Sequence, residues 1–339
     1  MQPKPSRRIA ALDGIRALCI LIVLFAHATG TGIPTTRLST VAGDLGVRGF
    51  FVLSGLLITG LLLRDAERPI GHALRDFYVR RALRIFPAFY VFLIGVFVLS
   101  LFGLVVWNGH DALFAATYTM NFHGSRVWSV GHLWSLAVEE QFYFLWPAAL
   151  LLLRVRRATV LLWAAVVVAP CVRLAVWYLW PAERALADQA FPCVFDSLAT
   201  GCLLAIGRDA LERNPRYMRI LSAAWFWVVP LGCIAALAVT RPELQLGIGP
   251  TIANVGIALA LHRVLLRPGS VTAFLETPVM VRIGVLSYSI YLWQQVFVNR
   301  HAELWWNHFP VNVVLAFAAG TLSYTFVEKP FLRLTARFR

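Results

Sequence analysis

Three groups of residues in this 339-residue sequence could do chemistry. Arg16 and His27 lie eleven residues apart in an apolar stretch. On an α-helix that spacing leaves only about 20° between them around the axis and about 16 Å along it. One helix face therefore carries a guanidinium toward one end and an imidazole toward the other. A snorkelling arginine and an interfacial histidine are the plain alternative, but the shared face argues for a functional line, because ionisable groups in such stretches usually face a protein interior or a wet cavity. The second group runs from His132 through Trp134 and Ser135 to Glu139 and Glu140. Adjacent carboxylates point about 100° apart on a helix, so the two are expected to divide roles. One pairs with a buried arginine and the other orients or deprotonates a catalytic group; which does which stays open. The third group is Arg80, Arg81 and Arg84. Arg80 and Arg84 form an i, i+4 pair, and forked guanidinium groups suit phosphates. Simple anchoring to lipid headgroups explains the same cluster, and composition does not separate the two readings.

These residues must be positioned by elements that lie mostly in lipid. Hydrophobic residues make up 59% of the chain, charged residues 14%, and mean hydropathy is +0.69. A soluble domain carries about 25% charged residues, so a soluble reading is excluded. A net charge of +14 could suggest nucleic acid, but the basic residues sit in short clusters between apolar runs and no nucleic-acid partner is expected. The five cysteines fall inside apolar runs without a CxxC pair; they are expected to be inert core residues, with no disulfide and no metal. Arg7 and Arg8 ahead of an apolar run ending in Ala26-His27-Ala28 look like a signal peptide, but Asp13 and Arg16 interrupt the run and further spans follow, so cleavage is not expected.

Apolar stretches near 20 residues can cross a bilayer. Ten are expected, at about 10–30, 46–63, 86–107, 132–153, 158–180, 190–206, 220–239, 246–266, 281–298 and 310–328, with 110–123 short and interfacial or re-entrant. Of the 31 Lys and Arg residues, 23 then fall on one side of the membrane, six on the other, and Arg16 and Arg173 within spans. The six are Arg37, Arg48, Arg126, Arg184, Arg241 and Arg300. Acidic residues divide evenly. A bias confined to Lys and Arg is what the positive-inside rule requires, so both termini are expected in the cytoplasm. Trp107, Trp128, Trp177, Trp180, Trp305 and Trp306 cluster near the outer ends, as an interfacial belt would. The expected fold is all-α: one membrane-embedded helical domain over 1–339, with no soluble extracytoplasmic domain. No Walker loop or GxGxxG is present.

Several segments resemble acyltransferase family 3, bacterial membrane O-acyltransferases of surface polysaccharides and some secreted small molecules. They are Leu12-Asp-Gly-Ile-Arg16-Ala with His27, Gly49-Phe-Phe-Val-Leu-Ser54-Gly55, Phe77 to Pro87 with its arginines, and His132 to Tyr143. Further along come Phe195-Asp196-Ser197, Leu286 to Trp293 with Tyr288 and Tyr291, and Tyr324 to Phe331 with Glu328. Each is weak alone; seven in order are specific, and they span almost the whole chain. The chain departs from the pattern at Gln294, where many members carry His. Some members continue into an esterase-like extracytoplasmic domain; none is expected here, and the resemblance implies a bacterial inner membrane.

The resemblance implies that a cytoplasmic acyl-CoA, most often acetyl-CoA, acts as co-substrate with no permanently bound cofactor. It implies delivery to a hydroxyl of an exported polysaccharide, a lipid-linked glycan or a secreted glycosylated small molecule. On this reading Arg80, Arg81 and Arg84 hold the CoA phosphates, and Arg16 contacts the cofactor deeper in the pore. His27 is a general base or a transient acyl carrier, and Glu139 or Glu140 assists it. Ser54, His132, Trp134, Ser135, Asp196, Tyr288, Tyr291 and Glu328 line the substrate path. Ser54 has no base adjacent in sequence, and small-residue packing accounts for Ser54-Gly55. Two rivals remain: a transporter of glycan precursors with His and Glu relays, though the paired interrupted helices typical of transporters are not evident, and a non-catalytic scaffold for polysaccharide assembly. The oligomeric state is not legible.

Overall fold

The computed structural model describes residues 9–239, 241 and 243–338, the side chains of 336 and 337 aside. Lys4, Arg7, Arg8 and Arg339 of the charge pattern, and the side chain of Arg337, lie outside the described residues. Helices account for 84% of the structure, and no strand occurs among the described residues. In chain order they are α1 (Ala10–Ala28), α2 (Arg37–Arg64), α3 (Ile70–Leu101), α4 (Gly109–Ala116), α5 (Trp128–Gly131), α6 (Leu133–Leu179) and α7 (Phe191–Arg213). There follow α8 (Pro215–Ser222), α9 (Val228–Ala235), α10 (Gly249–Leu266), α11 (Ser270–Leu275), α12 (Pro278–Phe297), α13 (Val311–Ser323) and α14 (Lys329–Leu334).

The architecture is a helical membrane bundle. Among the described residues, seven helical stretches are long and apolar enough to cross a membrane. They become eight if residues 215–222 and 224–238, bent by 82° at their junction, make one span. This is fewer than the ten expected, for two physical reasons. Residues 128–179 form one hydrogen-bonded stretch, broken at Arg154, whose φ of 62° is left-handed, so two expected spans count as one. In α12 the serines, tyrosines and paired glutamines lower the hydropathy of a helix that is otherwise long enough. The segment 110–123, expected at the interface, forms the short α4 and a 3-10 turn at Met120–Phe122.

α2 begins at Arg37, nine residues before the apolar run expected to form it, because Thr36 caps it by a reciprocal pair of hydrogen bonds with Ser39. Arg48, counted on the outer side in the charge pattern, is a buried residue of α2. Of the cysteines, Cys171 is exposed on the bundle exterior, Cys233 is half-buried and the other three are buried.

Two close helix approaches fix the centre of the bundle. A Cβ at Gly284 would lie 1.8 Å from the Asp13 carbonyl oxygen, so α12 packs backbone to backbone on α1. A Cβ at Gly55 would lie 2.1 Å from the Leu198 carbonyl oxygen, which seats α2 on α7 in the same way. Around these crossings Phe89, Phe92 and Ile290 fill one core and Phe51, Phe77 and Phe142 a second. The first crossing sets α12 along the face of α1 that carries Arg16 and His27.

Candidate active site

That face of α1 opens on two cavities. One, of about 100 Å³, is lined by Arg16, Ser54, Arg81, Arg84, Glu139 and Tyr288 with apolar neighbours. The other, of about 390 Å³, is lined by His27, Asp44, Trp128, His132, Asp188 and Gln295, together with Trp134 and Arg126. Val47 of α2 and Tyr291 of α12 line both, so an arginine chamber and a histidine chamber meet at a shared neck. Helical periodicity in α1 places one residue of the Arg16–His27 pair in each.

In the arginine chamber three guanidinium groups face one carboxylate. Arg16 lies 3.0 Å from the buried Asp13 carboxylate on its own helix. Arg81, from α3, stacks 4.6 Å over the Tyr143 ring, a cation–π contact. Tyr143 donates to Ser54 Oγ at 3.1 Å, and Ser54 donates to Glu139 at 2.6 Å. The excess of positive charge in a confined, partly apolar space suits an anion of several charges.

In the histidine chamber His27 Nδ1 lies 3.2 Å from Gln294 Oε1, and Nε2 lies 3.3 Å from Gln295 Nε2. Trp128 packs edge-on against the ring at 5.6 Å. The Trp128 indole is itself held by the Val298 carbonyl and covered by Arg300 at 4.8 Å. Arg300 also donates to the carbonyls of Ala26 and His27, the last turn of α1. Burial lowers the pKa values of Arg126 and Arg300, the two cations in the segments around this chamber, yet arginine stays protonated.

The remaining expected site residues divide between the chambers and the surrounding packing. His132 is bound through its backbone N–H and its ring to Gln295, and its other ring nitrogen approaches the Leu292 carbonyl. Tyr291 donates to the His132 carbonyl at 2.8 Å and accepts from Ser135, and Trp134 packs edge-on against Phe51. Tyr288 donates to the Ile85 carbonyl beside the arginine chamber. Four expected residues line neither cavity. Arg80 turns to Asp65 at 3.6 Å and to the Phe338 carbonyl at 2.6 Å, so the arginines that line the cavity are Arg16, Arg81 and Arg84. Glu140 is adjacent to Glu139 but points elsewhere, with Oε1 buried and unpartnered. Asp196 is clamped by Arg173 at 3.1 Å and by Thr251 at 2.6 Å. Glu328 accepts from Ser289 at 2.9 Å. Neither Glu139 nor Glu140 bonds the imidazole, whose nitrogens are taken by the two glutamines.

Residues 9–327 match a family model described as an acyltransferase domain. The chain belongs to this acyltransferase family. It is similar to the peptidoglycan O-acetyltransferase OatA of Listeria monocytogenes, with 26% identity over 355 residues, 95% of this chain and 55% of that protein. It is also similar to the O-acetyltransferase OatA of Staphylococcus aureus, with 27% identity over 358 residues, 96% of this chain and 57% of that protein. The acyltransferase chain thus spans a little over half the length of these relatives. No solved structure matches it.

Sequence reasoning noted Gln294 only as a departure from the family pattern and passed over other residues that shape the candidate site. Gln295, Asp44 and Asp188 line the histidine chamber, and Gln294 holds His27 from behind. For Gln294-Gln295 a signal existed, since two amides in an apolar helix need partners. Asp44 and Asp188 gave none, because both read as ordinary loop residues.

Proposed function

We propose that this chain transfers an acetyl group from cytoplasmic acetyl-CoA to a hydroxyl of an exported glycan. The single observation that carries the reading is the pair of chambers adjoining at Val47 and Tyr291, arginine-lined on one side and centred on His27 on the other. Membership of an acyltransferase family supplies the reaction class. The relatives' names point to a cell-wall polysaccharide such as peptidoglycan as acceptor. The basic clusters near Arg64, Arg84 and Arg208 support, by the positive-inside rule, an orientation with the arginine chamber toward the cytoplasm of a bacterial plasma membrane.

On this reading Arg16, Arg81 and Arg84 hold the phosphates of acetyl-CoA, and its pantetheine arm reaches the neck. The acceptor hydroxyl lies in the histidine chamber. Its oxygen attacks the thioester carbonyl and the C–S bond breaks, while the hydroxyl proton passes to His27 and then to the departing thiolate of CoA. Glu139 orders Ser54 and Tyr143 under Arg81 and stays out of the proton path. Positioned base catalysis of this kind contributes on the order of 10²–10⁴-fold.

The test uses purified protein in sealed vesicles, with labelled acetyl-CoA outside and a soluble glycan acceptor inside. Vesicles whose basic face is outward should acetylate the enclosed glycan and release free CoA outside. Movement of glycan without CoA release would overturn the reading in favour of a transporter.

A further inference from the structure

The structure assigns Gln294 and Gln295 as positioning residues that fix His27 as its Nδ1–H tautomer, with the lone pair on Nε2 toward the histidine chamber. This rests on the reading of His27 as the base.

The assignment follows from one backbone group. The His132 backbone N–H lies 3.1 Å from Gln295 Oε1. A backbone N–H only donates, so the atom facing it is the amide oxygen and the amide cannot be turned over. Gln295 Nε2 therefore faces His27, at 3.3 Å from Nε2 of the ring. An amide N–H cannot meet a second N–H, so the ring nitrogen there is the acceptor. A neutral imidazole carries its single proton on one nitrogen, which puts it on Nδ1. The Gln294 atom 3.2 Å from Nδ1 must then be its oxygen. The Gln294 amide nitrogen is left buried without a partner, so this side chain is placed for the histidine and not for its own hydrogen bonding.

Two consequences follow for the reaction. The nitrogen that must accept the hydroxyl proton is the one held ready by Gln295, through a contact long enough for a hydroxyl to replace. Once protonated, Nε2–H faces the Gln295 N–H donor, which pushes the proton on toward the leaving thiolate. The other charged or titratable groups near the ring are Arg300 on the α1 carbonyls, His132 beyond Gln295 and His301 behind Trp128. Arg126, Asp44 and Asp188 line the same chamber.

The direct test is nitrogen-15 NMR of histidine-labelled full-length protein in detergent, with His27→Ala assigning the resonance. The expected result is an unprotonated His27 nitrogen coupled to both ring C–H protons, which identifies it as Nε2. An unprotonated Nδ1 in the wild-type protein would overturn the assignment, whatever the activity. Gln295→Glu replaces the N–H by an acceptor, so the proton should move to Nε2 and kcat should fall on the order of 100-fold. Gln294→Glu keeps an acceptor at Nδ1 and favours the charged ring. It should retain kcat within about tenfold while the acid limb of the pH–rate profile moves to higher pH. Equal losses in both variants with unmoved profiles would reduce the pair to packing. If His27→Ala retained transfer while the NMR result held, the base reading would fail and the tautomer assignment would stand.

Discussion

Arg173 and the set of Arg16, Arg81 and Arg84 are built on opposite plans, the first buried and the second half-buried. Arg173 is fully buried and makes five hydrogen bonds: to the carbonyls of Cys193, Leu246 and Gly247, to Thr251, and to Asp196. It lines neither chamber, and every direction of its fork is used. Arg16, Arg81 and Arg84 instead border open space, helped by Asp13, the Tyr143 ring and one lining carboxylate. A charge removed from water must be compensated. In the first set the protein does this alone and ties α6, α7 and α10 together; in the second the compensation is incomplete, as expected where an anionic substrate completes it. Buried charge alone therefore does not mark a site. Charge that borders a cavity does.

The contrast can be broken at several points. The largest effect should come from Arg173→Leu, which leaves Asp196 buried without its cation and should cost about 3–5 kcal/mol. Thermal unfolding in detergent reads this as loss of folded protein, whereas Arg84→Ala should unfold near the wild-type temperature. Arg84→Ala should instead weaken acetyl-CoA. Losing one charge-assisted contact of about 1.5–3 kcal/mol raises the apparent KM roughly 10- to 100-fold, in steady-state transfer assays. Ser54→Ala removes a donor from Glu139 and touches the arginines only indirectly, so the same assay should read a KM change of a few-fold. Arg80→Ala should be smallest. Its pairing with Asp65 is partly exposed and worth at most about 1 kcal/mol, so KM should stay within about twofold; a tenfold rise would return Arg80 to the substrate-binding set.

The parts of the molecule legible in the sequence were those governed by local periodicity. Eleven residues on one helix are enough to align Arg16 with His27, and the structure sets them in adjoining chambers. Arg48 was counted on the outer side of the membrane, because its buried tie to Ser197 spans 149 positions and leaves no local signal. Asp196 lies in a motif and was read as pore-lining, but its partners Arg173 and Thr251 are 23 and 55 residues away. The contact of His27 with Gln294 and Gln295 bridges 267 and 268 positions, which only the backbone approach of α12 on α1 at Gly284 creates. Adjacent carboxylates invited a pairing with the imidazole. The helix turned Glu139 to Ser54, and the α12 amides met the histidine instead.

The proposed transfer depends on His27. Purified wild-type and His27→Ala proteins should bind acetyl-CoA with equal affinity, because the arginine chamber is intact in both. Transfer of the acetyl group to the glycan should fall at least about 100-fold in the variant. Acetylation at the wild-type rate, with donor affinity unchanged, would contradict the assignment of the histidine chamber as the place where the bond is made.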